Sequence, residues 1–217
     1  EIYSETMKLL LSALALLSGS AAASTCESLP KKPHFTKEEE TARWMAHVMD
    51  WGVLSTISTR NDTLAAPFGN PYSFVDGGCG ADGGTGTIYF YASGMDQSMI
   101  DTETDPRVSF ALSEASLNGD DALEQKACVV GPSGDPENPP CARAVFNGSL
   151  RKLDNDSDEF KTAEAAFFER HASMQDWPTD HSWFIGAIDL SDIWLIDIYG
   201  GAKTLDIDSY YAADLKY

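Results

Sequence analysis

The chain alternates between apolar and polar residues in short runs that are rich in β-branched and aromatic side chains. These runs predict strands at residues 53–59, 71–76, 87–92, 107–113 and 142–150, and two further strands at 183–190 and 193–199 joined at Ser191-Asp192. The last two runs are apolar on both faces, which is expected for strands buried on both sides. The pattern therefore predicts a mainly β domain built from short strands.

Helical periodicity interrupts the strands in a few places. Thr36 and Glu39 have the spacing of a capping box, and the helix that they begin should extend to about residue 50. Asp156 is expected to cap a second long helix, and a short helix is predicted over 95–102. Short strands with one long helix before the last pair favour an antiparallel barrel with peripheral helices.

The N-terminal region is predicted to be a signal peptide. Met7 and Lys8 precede an apolar run and then a series of small residues, with cleavage expected near Ala23 or Ser24. The apolar run is shorter than the ~20 residues that span a bilayer, so no membrane span is expected. We expect a secreted protein, extracellular or in the endolysosomal lumen, divided into upstream residues 1–6, signal peptide 7–23, linker 24–35 and one domain over 36–217.

Three Asn-x-Ser/Thr sequons agree with a secretory route, at Asn61, Asn147 and Asn155. Asn147 is the weakest glycosylation candidate because it falls within a predicted strand. After a signal peptide, we expect glycosylation of at least one of the three.

The four cysteines are even in number, and an oxidising compartment allows them to pair. Cys128 and Cys141 bracket a loop rich in proline and glycine and are the favoured bridge. A Cys26–Cys79 bridge is the weaker prediction, because both residues lie between flexible flanks. The insertion at 117–140 is too long for an ordinary connection, so it is either functional or held by a disulfide.

The charge balance excludes one class of partner. The chain carries 15 Lys and Arg against 34 Asp and Glu, for a net charge of −19. Such a chain repels phosphate backbones, so no direct nucleic-acid binding is expected. An acidic chain suits an acidic compartment, and equally serves plain solubility. The histidines have no metal-binding spacing, so no metal is expected.

One combination of residues is specific although no single element is. It comprises Ala42-Arg43, Ala46-His47-Val48, Asp50-Trp51-Gly52, Tyr89-Phe90-Tyr91, Arg170-His171, Trp177-Pro178, Trp183, Trp194, Gly200-Gly201 and Tyr210-Tyr211. Through these residues the chain resembles the CREG family of secreted glycoproteins, over about residues 41–211. That family shares the FMN-binding split-barrel fold of pyridoxamine 5'-phosphate oxidases, an antiparallel Greek-key barrel.

The resemblance implies a homodimer, N-glycans, and secretion or lysosomal delivery. In animal members it also implies protein receptor partners, including the mannose-6-phosphate receptor. It does not imply catalysis, and no catalytic residue is predicted. The run Asp105-Pro106-Arg107-Val108-Ser109 also resembles split-barrel flavoproteins more widely. An FMN-dependent oxidoreductase, or a flavin or haem carrier, is therefore the rival hypothesis.

An FMN phosphate would need cationic and hydroxyl donors that converge. The candidates are Ser58, Arg60, Ser93, Gln97 and Ser98. No basic residue follows the predicted strand 87–92 until Arg107, so this set is a weak cradle. The favoured alternative is structural: the serines cap a helix and a turn, and Arg60 is a solvated charge. FMN is therefore possible, and no cofactor is the stronger expectation.

Overall fold

The computed structural model describes Cys26 and residues 29–80, 84–117 and 128–217. The predicted signal peptide and the residues before it lie outside this range. So do residues 81–83, and residues 118–127 of the predicted insertion.

The described residues form eight strands and four α-helices. The strands are β1 (Trp51–Ile57), β2 (Pro67–Ser73), β3 (Val75–Gly77), β4 (Gly84–Ser93), β5 (Arg107–Ser113), β6 (Arg143–Lys152), β7 (Trp183–Ile196) and β8 (Lys203–Leu205). The helices are α1 (Glu38–Val48), α2 (Gln97–Thr104), α3 (Asp158–Arg170) and α4 (Ile207–Ala212). Short 3-10 turns occupy Asn61–Thr63, Glu114–Leu117, Ala172–Asp176 and Thr179–His181.

The strands form one antiparallel sheet in the order β2-β1-β5-β6-β7-β4-β3, and β8 pairs with β7. The two ends of this order approach each other, because Tyr72 of β2 packs edge to face on Phe90 of β4 with ring centroids 5.7 Å apart. The sheet therefore curls into a barrel that is hydrogen-bonded around most of its circumference. The predicted antiparallel split barrel with peripheral helices is confirmed.

The prediction of two strands joined at Ser191-Asp192 was wrong. β7 is one continuous strand of 14 residues, and its pairing with β6 shifts by one residue at this point. Asn147 pairs with Asp192 and Gly148 with Leu190, so Ser191 is an extra residue, a β-bulge. Pairing with β6 on both sides of Ser191 keeps the polar pair extended where a turn was expected.

Two helix starts also differ from the prediction. Ser157, not Asp156, caps α3, because its Oγ accepts the backbone N–H of Phe160 at 3.1 Å. Lys37 occupies the N-cap position of α1 and makes no side-chain cap bond, so the capping box predicted at Thr36 does not form. Both boundaries moved by one residue.

The core has two parts. The barrel interior contains Leu54, Phe90, Phe110 and Phe146, and α1 packs onto it with Trp44 and Met45. A smaller cluster lies under α3, where Phe167 and Ala163 contact residues of β3, β4 and β7. The described part of the predicted linker contacts the domain: the Trp44 indole N–H donates to the Pro30 carbonyl at 2.9 Å.

Candidate functional site

The five predicted phosphate ligands lie near the start of α2 and the end of β1. Ser93 ends β4, Gln97 and Ser98 begin α2, and Ser58 and Arg60 follow β1. Gln97 links the two regions, because its amide Nε2 lies 3.4 Å from Thr59 Oγ1. The structure therefore brings Gln97 to the loop that carries Ser58.

Each of the buried serines already has a structural partner. Ser58 Oγ pairs with Thr63 Oγ1 at 2.9 Å. Ser93 Oγ donates to the His181 carbonyl at 2.6 Å, and Ser98 Oγ accepts from Asn70 Nδ2 at 3.3 Å. Arg60 is exposed on its turn. The three serine hydroxyls are therefore engaged by other groups of the chain, and Asp96, not a serine, caps α2.

Asp101 is a buried carboxylate that ties β1 to α2. It accepts hydrogen bonds from Thr56 Oγ1, from the backbone N–H and Oγ1 of Thr59, and from Gln97 Nε2, all at 2.7–2.8 Å. Burial alone would raise the pKa of Asp101, but these hydrogen bonds outweigh burial and lower its pKa below the usual value. Asp101 therefore carries a negative charge, and it engages the side chain of Gln97.

Asp96 occupies the N-terminus of α2, which is the position where helices bind phosphate. Its carboxylate accepts the Ser98 backbone N–H at 2.8 Å and the Asn70 amide at 3.2 Å. The pKa of Tyr72 is raised well above its usual value, mainly by burial. The hydrogen bond with Asp96 and the negative charge of Asp96 raise it further. A phosphate placed among the candidate ligands would meet the charges of both Asp96 and Asp101, so these residues do not fit an FMN phosphate.

A cleft of about 320 Å³ opens beside Asp96. Its aromatic wall contains Tyr91 and Trp183, stacked at 5.1 Å and 14°, and Trp177, whose centroid is 4.9 Å from that of Trp183. The polar wall carries Asn70 and Asp96, and Tyr72, Ser73 and Ser93 complete it. The His181 ring packs near the Trp183 ring, with centroids 5.6 Å apart.

A buried charge cluster lies between α1, β3 and α3. Asp76 Oδ1 is 2.8 Å from His47 Nδ1 and 3.9 Å from Arg170 Nη1. Asp76 Oδ2 is 3.6 Å from Arg43 Nη1. Asp76 is fully buried, and the three basic residues are at most 7% exposed. Arg170 also donates to Asp50 at 2.8 Å. One carboxylate thus joins three elements of the fold.

Two glycines make room for this cluster. A Cβ at Gly84 would lie 2.5 Å from His47 Nδ1, and one at Gly86 would lie 2.1 Å from Arg43 Nη1. Gly86 also has a φ of +80°, and its N–H donates to Asp76 Oδ2 at 3.2 Å. The start of β4 therefore packs closely on charged side chains.

The charge cluster was not predicted, although the sequence contains a signal for it. Arg43 and His47 are spaced by four residues within the stretch 42–49, which is otherwise apolar, so they share one face of the helix. A charged pair on a buried face requires a buried partner of opposite sign. What the sequence could not show is that Asp76 supplies that partner.

A second cleft, of about 390 Å³, lies on the outer face of the sheet. Trp51 is 49% exposed, and it lines this cleft with Val53, Ala111, Val145 and Trp194. These residues alternate with inward-facing ones on β1, β5, β6 and β7, so the outer face carries an apolar patch.

A family model described as "CREG, beta-barrel" matches residues 33–212. The chain belongs to the CREG family. It is 37% identical to Protein CREG1 of Gallus gallus over 78% of this chain and 83% of that protein. It is 32% identical to Protein CREG1 of Homo sapiens over 84% of this chain and 77% of that protein.

Solved structures show the same fold at low identity. One, described as a heme binding protein from Mycobacterium smegmatis, superposes with a TM-score of 0.58 at 17% identity and covers 84% of this chain. A protein of unknown function from Agrobacterium tumefaciens gives a TM-score of 0.56 at 16% identity, also over 84% of this chain. The present chain spans 62% and 64% of these two structures, and the likeness concerns the fold alone.

Several residues that carried the CREG resemblance meet in the charge cluster, namely Arg43, His47, Asp50 and Arg170. Both predicted disulfides are present, Cys128–Cys141 and the less expected Cys26–Cys79. Within the described residues, no group of His, Cys, Asp and Glu has the arrangement of a metal site, and no helix is long and apolar enough to cross a membrane.

Proposed function

We propose that this CREG-family chain is a secreted or endolysosomal glycoprotein that acts without catalysis, as a homodimer, through protein or receptor partners. The observation that carries the proposal is the pair of carboxylates, Asp96 and Asp101, among the residues that would bind an FMN phosphate. By resemblance to the family, a mannose-6-phosphate type of receptor is the partner class we expect.

The rival proposal is an FMN-dependent oxidoreductase or a flavin or haem carrier, and the mycobacterial neighbour described as heme-binding favours the haem variant. Titration of the purified protein with FMN and with haem distinguishes the two proposals. Absorbance monitors the binding, and release of the ligand on denaturation gives its stoichiometry. We expect no saturable binding of either ligand. Stoichiometric FMN would refute the non-catalytic proposal, and loss of that binding in Ser93→Ala would then assign the phosphate site to the predicted set.

The homodimer proposal rests on the apolar patch around Trp51. An exposed apolar patch that contains tryptophan is typical of interfaces. We expect sedimentation to give a dimer, and Trp51→Glu to give a folded monomer. Leu64→Glu adds the same charge at a residue that is 70% exposed, and it should leave the dimer intact. A monomeric parent protein would exclude the homodimer.

The sequons differ in how accessible they are to a glycosyltransferase. Asn61 and Asn155 are exposed, on a turn and before α3. Asn147 lies within β6, where its amide accepts from Ser109 and donates to Asp192 at 2.8 Å. We propose that Asn61 and Asn155 carry the glycans and that Asn147 stays unmodified. Two disulfides within the described residues are consistent with an oxidising compartment.

A further inference from the structure

We propose that the aromatic cleft beside Asp96 binds an organic ammonium cation, such as a quaternary or protonated amine. The cleft combines aromatic rings with one carboxylate, and its volume of about 320 Å³ is in the range of small-molecule sites. The proposal goes beyond the partner-binding role and does not depend on it.

The rings provide faces for a cation. Trp177 is 37% exposed, and Trp183 and Tyr91 are half-buried beside it. The three rings contact one another, with centroid distances from 4.9 to 6.2 Å. The electron-rich face of tryptophan attracts a cation more strongly than other aromatic rings do, and the attraction increases when the cation loses its water.

The charges around the cleft favour the same ligand. No Lys, Arg or His is among the lining residues, and Asp96 is their carboxylate. Burial and, to a smaller extent, the negative charge of Glu164 raise the pKa of the Tyr91 hydroxyl. His181 contacts the Trp183 ring, and its Nε2 lies 3.7 Å from the Asp180 carboxylate. An anion is repelled here, and an organic cation gains both an ion pair and ring contacts.

The groups are held in place before any ligand arrives. The Trp183 indole N–H donates to the Pro178 carbonyl at 2.7 Å, and Ser93 Oγ fixes the same segment through the His181 carbonyl. Asp96 is fixed by the backbone N–H of Ser98 at 2.8 Å. A site ordered in advance loses little conformational entropy on binding.

The test uses a matched pair of ligands, choline and its uncharged isostere 3,3-dimethyl-1-butanol, titrated into the full protein. Tryptophan fluorescence and calorimetry report the binding. Choline should bind saturably and at least about tenfold more tightly than the isostere, which corresponds to ~1.4 kcal/mol.

Three variants locate the site. Asp96→Asn should weaken choline about tenfold while the fold is kept, because asparagine caps a helix as well as aspartate does. Trp177→Ala should weaken choline about fivefold by removing one ring face. Asp158→Asn removes an exposed carboxylate elsewhere and should leave choline binding unchanged.

Equal binding of both ligands would overturn the proposal, because the cleft would then recognise shape and not charge. Absence of saturable choline binding would also overturn it, whether the cleft is empty or covered by a second copy of the chain. Binding of a neutral methyl glycoside without choline binding would assign the cleft to saccharides instead. If Asp96→Asn binds choline as tightly as the parent protein does, choline binds at another site and the proposal for this cleft is wrong.

Discussion

Replacing Asp76 by asparagine should destabilise this protein severely, although the two side chains have almost the same shape. Asp76 is fully buried, and it is the carboxylate that Arg43, His47 and Arg170 share. Within the described residues, Nε and Nη1 of both arginines have no hydrogen-bond partner, so Coulomb attraction to Asp76 stabilises them. Without that charge, the buried Arg43 loses its carboxylate partner, and the buried Arg170 keeps only its ion pair with the partly exposed Asp50.

Removal of one partner from a buried ion pair costs about 3–5 kcal/mol. That is a large part of the ~5–15 kcal/mol by which domains are stable. For a domain of this size, each kcal/mol shifts the melting temperature by ~2–4 °C, so the expected decrease is about 6–20 °C. Urea unfolding and thermal melting, both with the disulfides intact, measure the loss.

The matched control is Asp105→Asn. Asp105 also pairs with an arginine, Arg107, at 2.5 Å, but this pair is on the surface, where water and salt screen it. We expect no resolvable change in its unfolding midpoint. If Asp76→Asn unfolds at the same urea concentration as the parent protein, the cluster does not hold α1, β3 and α3 together, and the electrostatic argument is wrong.

Three other changes have defined outcomes. Burial lowers the pKa of His171 below 6.5, so the unfolded state takes up a proton before the folded state does; the stability that neutral His171 contributes is complete above about pH 6.5 and declines as the pH falls toward the folded pKa. Between about pH 7 and pH 5, the melting temperature of His171→Gln should therefore decrease less than that of the parent protein. An equal decrease in both proteins would contradict the burial argument. Glutamine at Asn61 or Asn155 should each remove one glycan in a gel-mobility assay, whereas Asn147→Gln should not change the mobility; a shift for Asn147 would show that its strand is accessible. Cys128→Ser removes the Cys128–Cys141 bridge, which has a sequence separation of 13 residues, and should lower the free energy of unfolding by about 3 kcal/mol in the chain-entropy model. Urea unfolding in non-reducing buffer measures this loss, and an unchanged unfolding midpoint would rule out a stabilising role for the bridge.

The sequence predicted the barrel because each strand has its own local signal. Alternating burial on β1 and β5 follows directly from the alternating residues, since a side-chain period of two decides which face is inward. The bulge at Ser191 was misread as a turn, because a polar pair between two apolar runs has the same composition in both structures. Only pairing with β6 distinguishes them.

The site was harder to predict for a physical reason. Ser93, Gln97 and Ser98 were recognised as hydrogen-bonding groups, but whether they are available depends on Asp101 and the His181 carbonyl. These partners are non-local or lie on the far side of a helical turn, and residue spacing does not reveal them. The same holds for Asp76, whose role depends on side chains from α1 and α3.

The most direct test of the account is native mass spectrometry of the protein recovered from the medium of expressing eukaryotic cells. We predict two copies of the chain, each beginning near Ser24, with glycans on Asn61 and Asn155 and without flavin or haem. A monomer, or a stoichiometric mass of FMN or haem on each chain, would contradict the proposal of a non-catalytic dimeric glycoprotein.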